Sequence, residues 1–419
     1  MTPIQELSSN IDGGAQPLPR ARRLAFVETF AGMRSGDMGM LPVLVGLVIL
    51  AVIFQALNGN FLTPGNLVNL MVQGAVYMLL AMGMVFVLLI GEVDLSIGFI
   101  GGVAGVIVAT LIYGDAGNPW YTGIACGLLA GTAIGIFHGL IITIVRLPSF
   151  VVTLAGLLAW NGVMLIILGN GGTVPIQDPV IVSLANGVMP STIGWIIAAC
   201  LIVLFAADNL IADRNRRRNG NAVRAPLMTY VRIGLVAALA IAIVGLCSVN
   251  RGNFAPVTGV PWIVLILLFF VITWTVLLNR TAFGTYIYAI GGNAEAARRA
   301  GIAVGRARVL VFGISGLMGA VAGIIYASRL RSVSTNLDGG TLVLYSIAAA
   351  VIGGTSLFGG RGKAVHAILG GLVIAMIDNG MGLLGLSAAT RYVVTGIVLL
   401  IAVSVDALAR RGGANAGLS

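Results

Sequence analysis

The stretch Arg280-Thr-Ala-Phe-Gly-Thr-Tyr-Ile-Tyr-Ala-Ile-Gly-Gly-Asn-Ala-Glu-Ala-Ala-Arg-Arg-Ala-Gly-Ile-Ala303 is a short polar break in a chain that is otherwise almost all apolar. Gly291 and Gly292 end whatever precedes them. Asn293 is a good N-cap, and Glu295 falls in the first turn, where the helix dipole favours an anion. Arg298 and Arg299 follow at the other end, where cations are favoured, and Gly301 suits a helix stop. Ala294, Ala296, Ala297 and Ala300 add helix propensity and a slim surface. About two turns of helix result, too short to hold alone, so the segment must pack on something. Its small residues permit close docking into a partner's groove. The plainer alternative is a linker helix lying on the membrane surface.

Working outward, 58% of the 419 residues are apolar, 9% are charged, and the mean hydropathy is +1.03. A soluble domain carries roughly 25% charged residues. The chain is therefore an all-α polytopic membrane protein, and at ~20 residues per span it has room for about a dozen. Apolar segments are read at 40–57, 67–90, 98–113, 121–145, 149–168, 190–207, 228–248, 260–278, 308–328, 341–355, 364–384 and 391–409. The third, sixth and tenth are short for a full crossing, so broken or re-entrant helices are expected there, giving 10–12 spans in all. Residues 1–38 are polar, lack a signal-type apolar core and read as a cytoplasmic tail; 39–410 form the transmembrane domain and 411–419 a second tail.

Alternating spans with the N-terminal tail inside place twenty of the 24 basic residues on the cytoplasmic side. Only Arg251, Arg329, Arg331 and Arg391 fall outside. Positively charged loops stay cytoplasmic, so both termini are read as inside. The net charge of +10 thus sits in short loops and tails and does not point to nucleic acid. The segment 208–226 reads as a basic cytoplasmic loop, a topology anchor or a contact for anionic membrane lipid. The segment 280–307 reads as the inside loop that holds the short helix.

Few residues could carry chemistry. In Gly91-Glu92-Val93-Asp94-Leu95-Ser96-Ile97-Gly98 two carboxylates sit between apolar runs. Asp94 and Ser96 can cap the next helix, or Glu92, Asp94 and Ser96 can serve transport directly. Arg146-Leu147-Pro148 reads as a tight inside turn. Gln73, Asn161, Asp378 and Asn379 are polar groups in spans: they line a wet path for a polyhydroxyl solute or simply join helices. His138 and His366 read as helix-to-helix hydrogen bonders, and Cys126, Cys200 and Cys247 as packing residues. The glycine-rich run before Lys363 fails as a phosphate loop, because Leu357 and Ala364 stand where Gly and Ser/Thr are needed. Lys363 is the only lysine, so the chain has no such ATP site. No catalytic Ser/His/Asp arrangement, metal cluster or cofactor motif is read, so catalytic, metal and cofactor residues are none.

Phe61-Leu-Thr-Pro-Gly-Asn-Leu67, Gly91-Glu-Val-Asp-Leu-Ser-Ile-Gly98, Arg146-Leu-Pro-Ser-Phe-Val-Val-Thr-Leu154, Gly291-Gly-Asn-Ala-Glu-Ala-Ala-Arg-Arg-Ala-Gly-Ile302 and Ile352-Gly-Gly-Thr-Ser-Leu357 together resemble the permease subunit of bacterial ABC sugar importers. This is the ribose, xylose and galactose branch. The length, the extra material at 190–278 and the ending Ile377-Asp-Asn-Gly-Met381 with Tyr392-Val-Val-Thr-Gly396 resemble its xylose type. Glu92 replaces a glycine usual in the acidic motif, and His366-Ala367 stand where Gly-Thr is common.

The resemblance implies a type II importer fold in the bacterial inner membrane and a dimer of permease subunits, as a homodimer. It implies a cytoplasmic ATP-binding subunit and a periplasmic sugar-binding protein as partners, and a coupling helix formed by Gly292, Asn293, Glu295, Ala296, Ala297, Arg298, Arg299 and Gly301. The expected function is ATP-driven import of D-xylose or a related pentose by alternating access, with no enzyme chemistry in this chain. The rival readings are an ion-coupled sugar carrier using Glu92 and Asp94, a passive channel, and a branched-chain amino-acid ABC permease.

Overall fold

A computed structural model describes residues 40–114, 117–169, 172–219, 226–252, 256–398, 400 and 404. The two tails, Arg224 and the end of the twelfth segment lie outside the described residues. Helices α1 (Leu41–Leu57), α2 (Pro64–Leu89), α3 (Ile97–Leu111), α4 (Trp120–Ile144) and α5 (Ser149–Leu168) come first. Strand β1 (Thr173–Pro175), helix α6 (Pro179–Asn186) and strand β2 (Val188–Met189) follow, then α7 (Ser191–Arg218), α8 (Pro226–Ser248), β3 (Val260–Pro261) and α9 (Trp262–Arg280). The rest is α10 (Ala282–Gly292), α11 (Ala294–Arg299), α12 (Val304–Leu330), β4 (Ser332–Ser334), α13 (Gly339–Ile352), α14 (Ala364–Leu383) and a final helical stretch at 388–398. Among the described residues eight helices are long and apolar enough to cross a membrane, and α1, α3 and α13 are shorter apolar helices.

The third and tenth segments are short as expected. Helix α3 has 15 residues and α13 has 14, about 21–23 Å of rise against a hydrocarbon core of ~30 Å. The sixth is the opposite of the expectation. Helix α7 has 28 residues, because the charged stretch from Asp208 to Arg218 continues the helix. Charges break a hydropathy run without breaking a helix, and Arg216, Arg217 and Arg218 suit its C-terminal turn. The segment 208–226 is therefore helical over 208–218 and not a loop there. Residues 280–307 likewise hold α10, α11 and the start of α12.

The core is α2, α12 and α14, with α3, α4 and α13 packed around them. Helix α4 shows how. Gly123, Gly127, Gly131, Gly135 and Gly139 recur at every fourth residue and form one buried stripe, while half of the other α4 residues are exposed. A side chain at Gly135 would start 2.1 Å from the Phe312 carbonyl oxygen of α12, and one at Gly131 would start 2.8 Å from the Gly316 oxygen. In lipid, where apolar burial does not drive helices together, such close backbone approach supplies the packing energy.

The helices alternate between two ends. At one end β1 pairs antiparallel with β4 (Val174 opposite Val333) and β2 with β3 (Met189 opposite Val260). At the other end the Gly360 N–H donates to the Leu89 carbonyl at 2.9 Å, Arg280 holds Asp208 at 2.7 Å and Arg308 holds Glu92 at 2.8 Å. Of the described basic residues, Arg251, Arg329, Arg331 and Arg391 belong to the β end, and the others lie at or toward the opposite end. The two ends therefore carry the charge asymmetry that sets topology.

Candidate functional site

At the basic end, Thr281 caps α10 by accepting from the Gly284 N–H at 3.2 Å. Asn293 caps α11 by accepting from the Ala296 N–H at 2.9 Å. Glu295 meets Arg298 at 3.0 Å and Arg299 at 3.3 Å on the outer face. The Ile302 N–H returns to the Ala297 carbonyl at 3.0 Å, and Gly301 ends the helix at φ +86°, the left-handed conformation glycine adopts most readily. Gly292, Asn293, Glu295, Ala296, Arg298, Arg299 and Gly301 are exposed. Ala297 is not: at 4% exposure it belongs to the core cluster and anchors α11 from beneath.

The seat of this helix is built from distant segments. A side chain on Gly291 would lie 1.8 Å from the Leu89 carbonyl oxygen and 2.4 Å from the Gly360 nitrogen. The Tyr288 hydroxyl donates to the Gly362 carbonyl at 2.8 Å. Burial raises the Tyr288 phenol above its ordinary pKa, so it stays a donor. The glycine-rich run at 353–362 is thus an irregular loop wedged between the end of α2 and α10.

The acidic loop at 90–96 adjoins this seat. Glu92 pairs with Arg308 at the start of α12, largely shielded from solvent. Arg146 makes the tight turn expected of it, at φ 62°. The Val93 N–H reaches Ser149 at 3.4 Å, and the Val93 carbonyl receives the Thr153 hydroxyl at 3.3 Å. Asp94 and Ser96 are fully buried. Ser96 makes no side-chain cap to α3. Instead its N–H and hydroxyl both donate to Asp94 Oδ1, at 2.9 and 2.6 Å, and the Ser315 hydroxyl donates to Oδ2 at 2.7 Å. Trp160 Nε1–H donates to His138 Nε2 at 2.9 Å, so His138 Nδ1 carries the proton directed at Ser96 Oγ, 3.2 Å away.

Asp94, Ser96 and His138 are therefore brought together, which the sequence reading did not foresee because the histidine is 42 residues from the serine. The order is Asp-Ser-His: the serine hydroxyl is spent on the carboxylate, and the imidazole offers it a proton and takes none. This run of hydrogen bonds ties α3, α4, α5 and α12 at one point, and its serine is not activated as a nucleophile. His138 thus joins helices, as read.

The remaining polar residues divide. Gln73 Nε2 donates to Asp378 Oδ2, which also receives the Tyr77 hydroxyl at 2.9 Å, and Arg391 approaches Oδ1 at 3.7 Å. Asn379 exchanges amide hydrogen bonds with Asn66 at 2.9 and 3.0 Å. Asn161 is half-buried and its side chain makes no hydrogen bond among the described residues. Gln73 and Asp378 form one cluster at the β end, Glu92, Asp94 and Ser96 lie on one loop at the basic end, and Asn161 joins neither. Arg308, Ser315, Trp160, Tyr77 and Arg391 were missed. Their only signal is polarity inside or beside an apolar run, and the partners are far apart in sequence. Cys247 is buried, but Cys126 and Cys200 face outward. No group of metal-ligating side chains occurs among the described residues.

Apolar helices with internally hydrogen-bonded polar networks and basic residues gathered toward one end define a polytopic helical membrane protein. Residues 66–403 match the family described as branched-chain amino acid transport system, permease component, and the chain belongs to that family. It is 36% identical over 388 residues to the xylose transport system permease protein XylH of Escherichia coli K12, covering 91% of this chain and 95% of that protein. It is 34% identical over 361 residues to XylH of Haemophilus influenzae, covering 86% and 93%. To the ribose import permease protein RbsC of Bacillus subtilis it is 34% identical over 371 residues, covering 88% and 94%. No solved structure matches. The chain is a transport component, a permease, in a membrane.

Proposed function

We propose that this chain is the membrane-spanning subunit of an ATP-driven importer of a monosaccharide, D-xylose or a related pentose. The observation that carries the coupling part is α11: a capped helix with an exposed charged face, packed on the start of α12 and on α10, whose Gly291 is seated against Leu89 and Gly360. A helix of six residues has no stability of its own and is held by this packing, so a push on its outer face is carried through α10 and α12. The xylose and ribose relatives support the solute class. In this reading an ATP-binding subunit docks on Gly292, Asn293, Glu295, Ala296, Arg298, Arg299 and Gly301. A sugar-binding protein delivers solute at the β end, and two copies of the chain enclose the path. The basic end and both termini face the cytoplasm of a bacterial inner membrane, as positive charge directs. Gln73, Asp378 and Asn379 are then candidates for path or gate at the delivery end, and Glu92, Asp94 and Ser96 for the hinge at the coupling end.

The test is uptake in proteoliposomes holding this chain with its ATP-binding subunit and binding protein. Xylose accumulation is expected to require ATP and to survive a protonophore. Accumulation driven by an ion gradient without the ATPase would establish the carrier instead. The family description favours one second reading, a branched-chain amino-acid permease. Competition by leucine and not by xylose would decide for it.

A further inference from the structure

We propose that the arginine-rich end of α7, with the adjoining start of α8, is a binding site for anionic phospholipid headgroups. The proposal rests on the membrane placement of the bundle and not on the solute transported. Helix α7, with 28 residues, is about 42 Å long and outruns a ~30 Å hydrocarbon core by two turns or more. The carboxylates in that overhang are already engaged. Asp208 is held by Arg280 at 2.7 and 2.9 Å, and Asp213 accepts the Thr229 hydroxyl at 2.6 Å. Arg214, Arg216, Arg217 and Arg218 are exposed, and among the described residues none forms an ion pair. Four positive charges within five residues thus stand, among the described residues, beside the single carboxylate of Asp213.

The surface beside them selects the partner. Ile211 on α7 and Leu227, Met228 and Tyr230 on α8 are all exposed. A water-soluble acidic protein would pair with the arginines and leave this apolar surface against water. A lipid leaflet satisfies both: acyl chains cover the apolar side chains, and phosphates lie at the level of the guanidiniums, whose positive charge attracts them. Tyr230 stands where aromatic residues anchor a helix at the interface. Because the four arginines face only one described carboxylate in the overhang that is not already ion-paired, Asp213, a headgroup with net negative charge is preferred over a zwitterionic one.

The experiment is thermal denaturation of the purified full-length chain in detergent, with phosphatidylglycerol, phosphatidylcholine or inorganic phosphate added. Phosphatidylglycerol is expected to raise the midpoint well beyond the other two, and about 0.5 M NaCl to remove most of that difference. The variant R214Q/R216Q/R217Q/R218Q is expected to weaken the phosphatidylglycerol preference about tenfold in titration, while the corresponding four Arg→Lys changes keep most of it. Equal effects of the two lipids, an equal effect of inorganic phosphate, or a preference unchanged in the Gln variant would overturn the proposal. So would loss of the preference in the Lys variant, or a Gln variant that stops co-purifying with the ATP-binding subunit while its lipid preference is intact. The wild-type comparison stands even if the Gln variant fails to fold.

Discussion

The most hydropathic windows of helices α2 and α7 are equally apolar, yet 89% of that of α2 is buried within the chain and only 6% of that of α7. Hydropathy says that both belong in lipid. What separates them is what a neighbour can lean on. Helix α2 is packed by α12, α14 and α13, whose small residues let backbones approach. The hairpin of α7 and α8 touches little besides itself. Gly234 and Gly245 in α8 have nothing within 4 Å of an added side chain, whereas in the α4 stripe Gly131, Gly135 and Gly139 face backbone atoms of α12, and Gly123 and Gly127 face α3. Glycine content therefore does not predict packing in this protein. Glycine spacing on one face, with a backbone opposite, does.

The comparison is broken or sharpened first by matched glycine changes. Gly135→Leu places carbon 2.1 Å from the Phe312 carbonyl, and backbone there cannot give way. A loss of about 3 kcal/mol or more is expected, seen as failure to elute as a single species in detergent. Gly245→Leu is expected to stay within ~0.5 kcal/mol of wild type. Equal damage at both positions would mean that the hairpin is packed as tightly as the core. Next in size is Asp94→Ala, which strands the buried Ser96 and Ser315 donors. It is expected to cost about 2–4 kcal/mol, measured by unfolding in mixed micelles, and Ser315→Ala should add little on top of it. Glu92→Gln leaves Arg308 largely shielded without its partner and should cost about 1–2 kcal/mol, with most of the loss absent in an Arg308→Gln background.

The smallest effect is a pH dependence at the β end. Burial opposes ionisation of Asp338, but hydrogen bonds from Thr341 and Tyr392 outweigh it and hold its pKa below the ordinary aspartate value. A depressed folded-state pKa contributes stability above the unfolded value of ~3.9 and loses it as pH falls through the folded value. The melting temperature of wild type should therefore approach that of Asp338→Asn as pH falls from about 6 to about 3. A constant gap would remove Asp338 from the account.

Local rules made much of this legible. The Asn293 cap, the Glu295 and Arg298 placement and the Gly301 stop follow from capping and the helix dipole, and the structure has each. The short third and tenth segments follow from length. What was not legible depends on distance or on what a charge conceals. The sixth helix looked short because Asp208 ends the apolar run, although arginines at a C-terminal turn lengthen a helix as readily as they end a span. Helix α10 hid in a stretch of mixed polarity. Ala297 looked like part of a docking face because its neighbours are exposed; which way it points is set by the core beneath. The partners of Asp94, Ser96 and Asp378 are up to 305 residues away for Gln73 and 221 for Ser315, beyond any local pattern. The glycine stripe of α4 was available in the sequence as a four-residue repeat and would have identified the packed face.

The central claim is that α11, and not the protruding hairpin, is where an ATP-binding subunit attaches. Single cysteines at Arg298 and at Ala212, introduced after replacing Cys126, Cys200 and Cys247, test it by cross-linking to the co-expressed ATP-binding subunit in membranes. The account predicts a cross-linked species from position 298 and none from position 212. Cross-linking from 212 alone would contradict it.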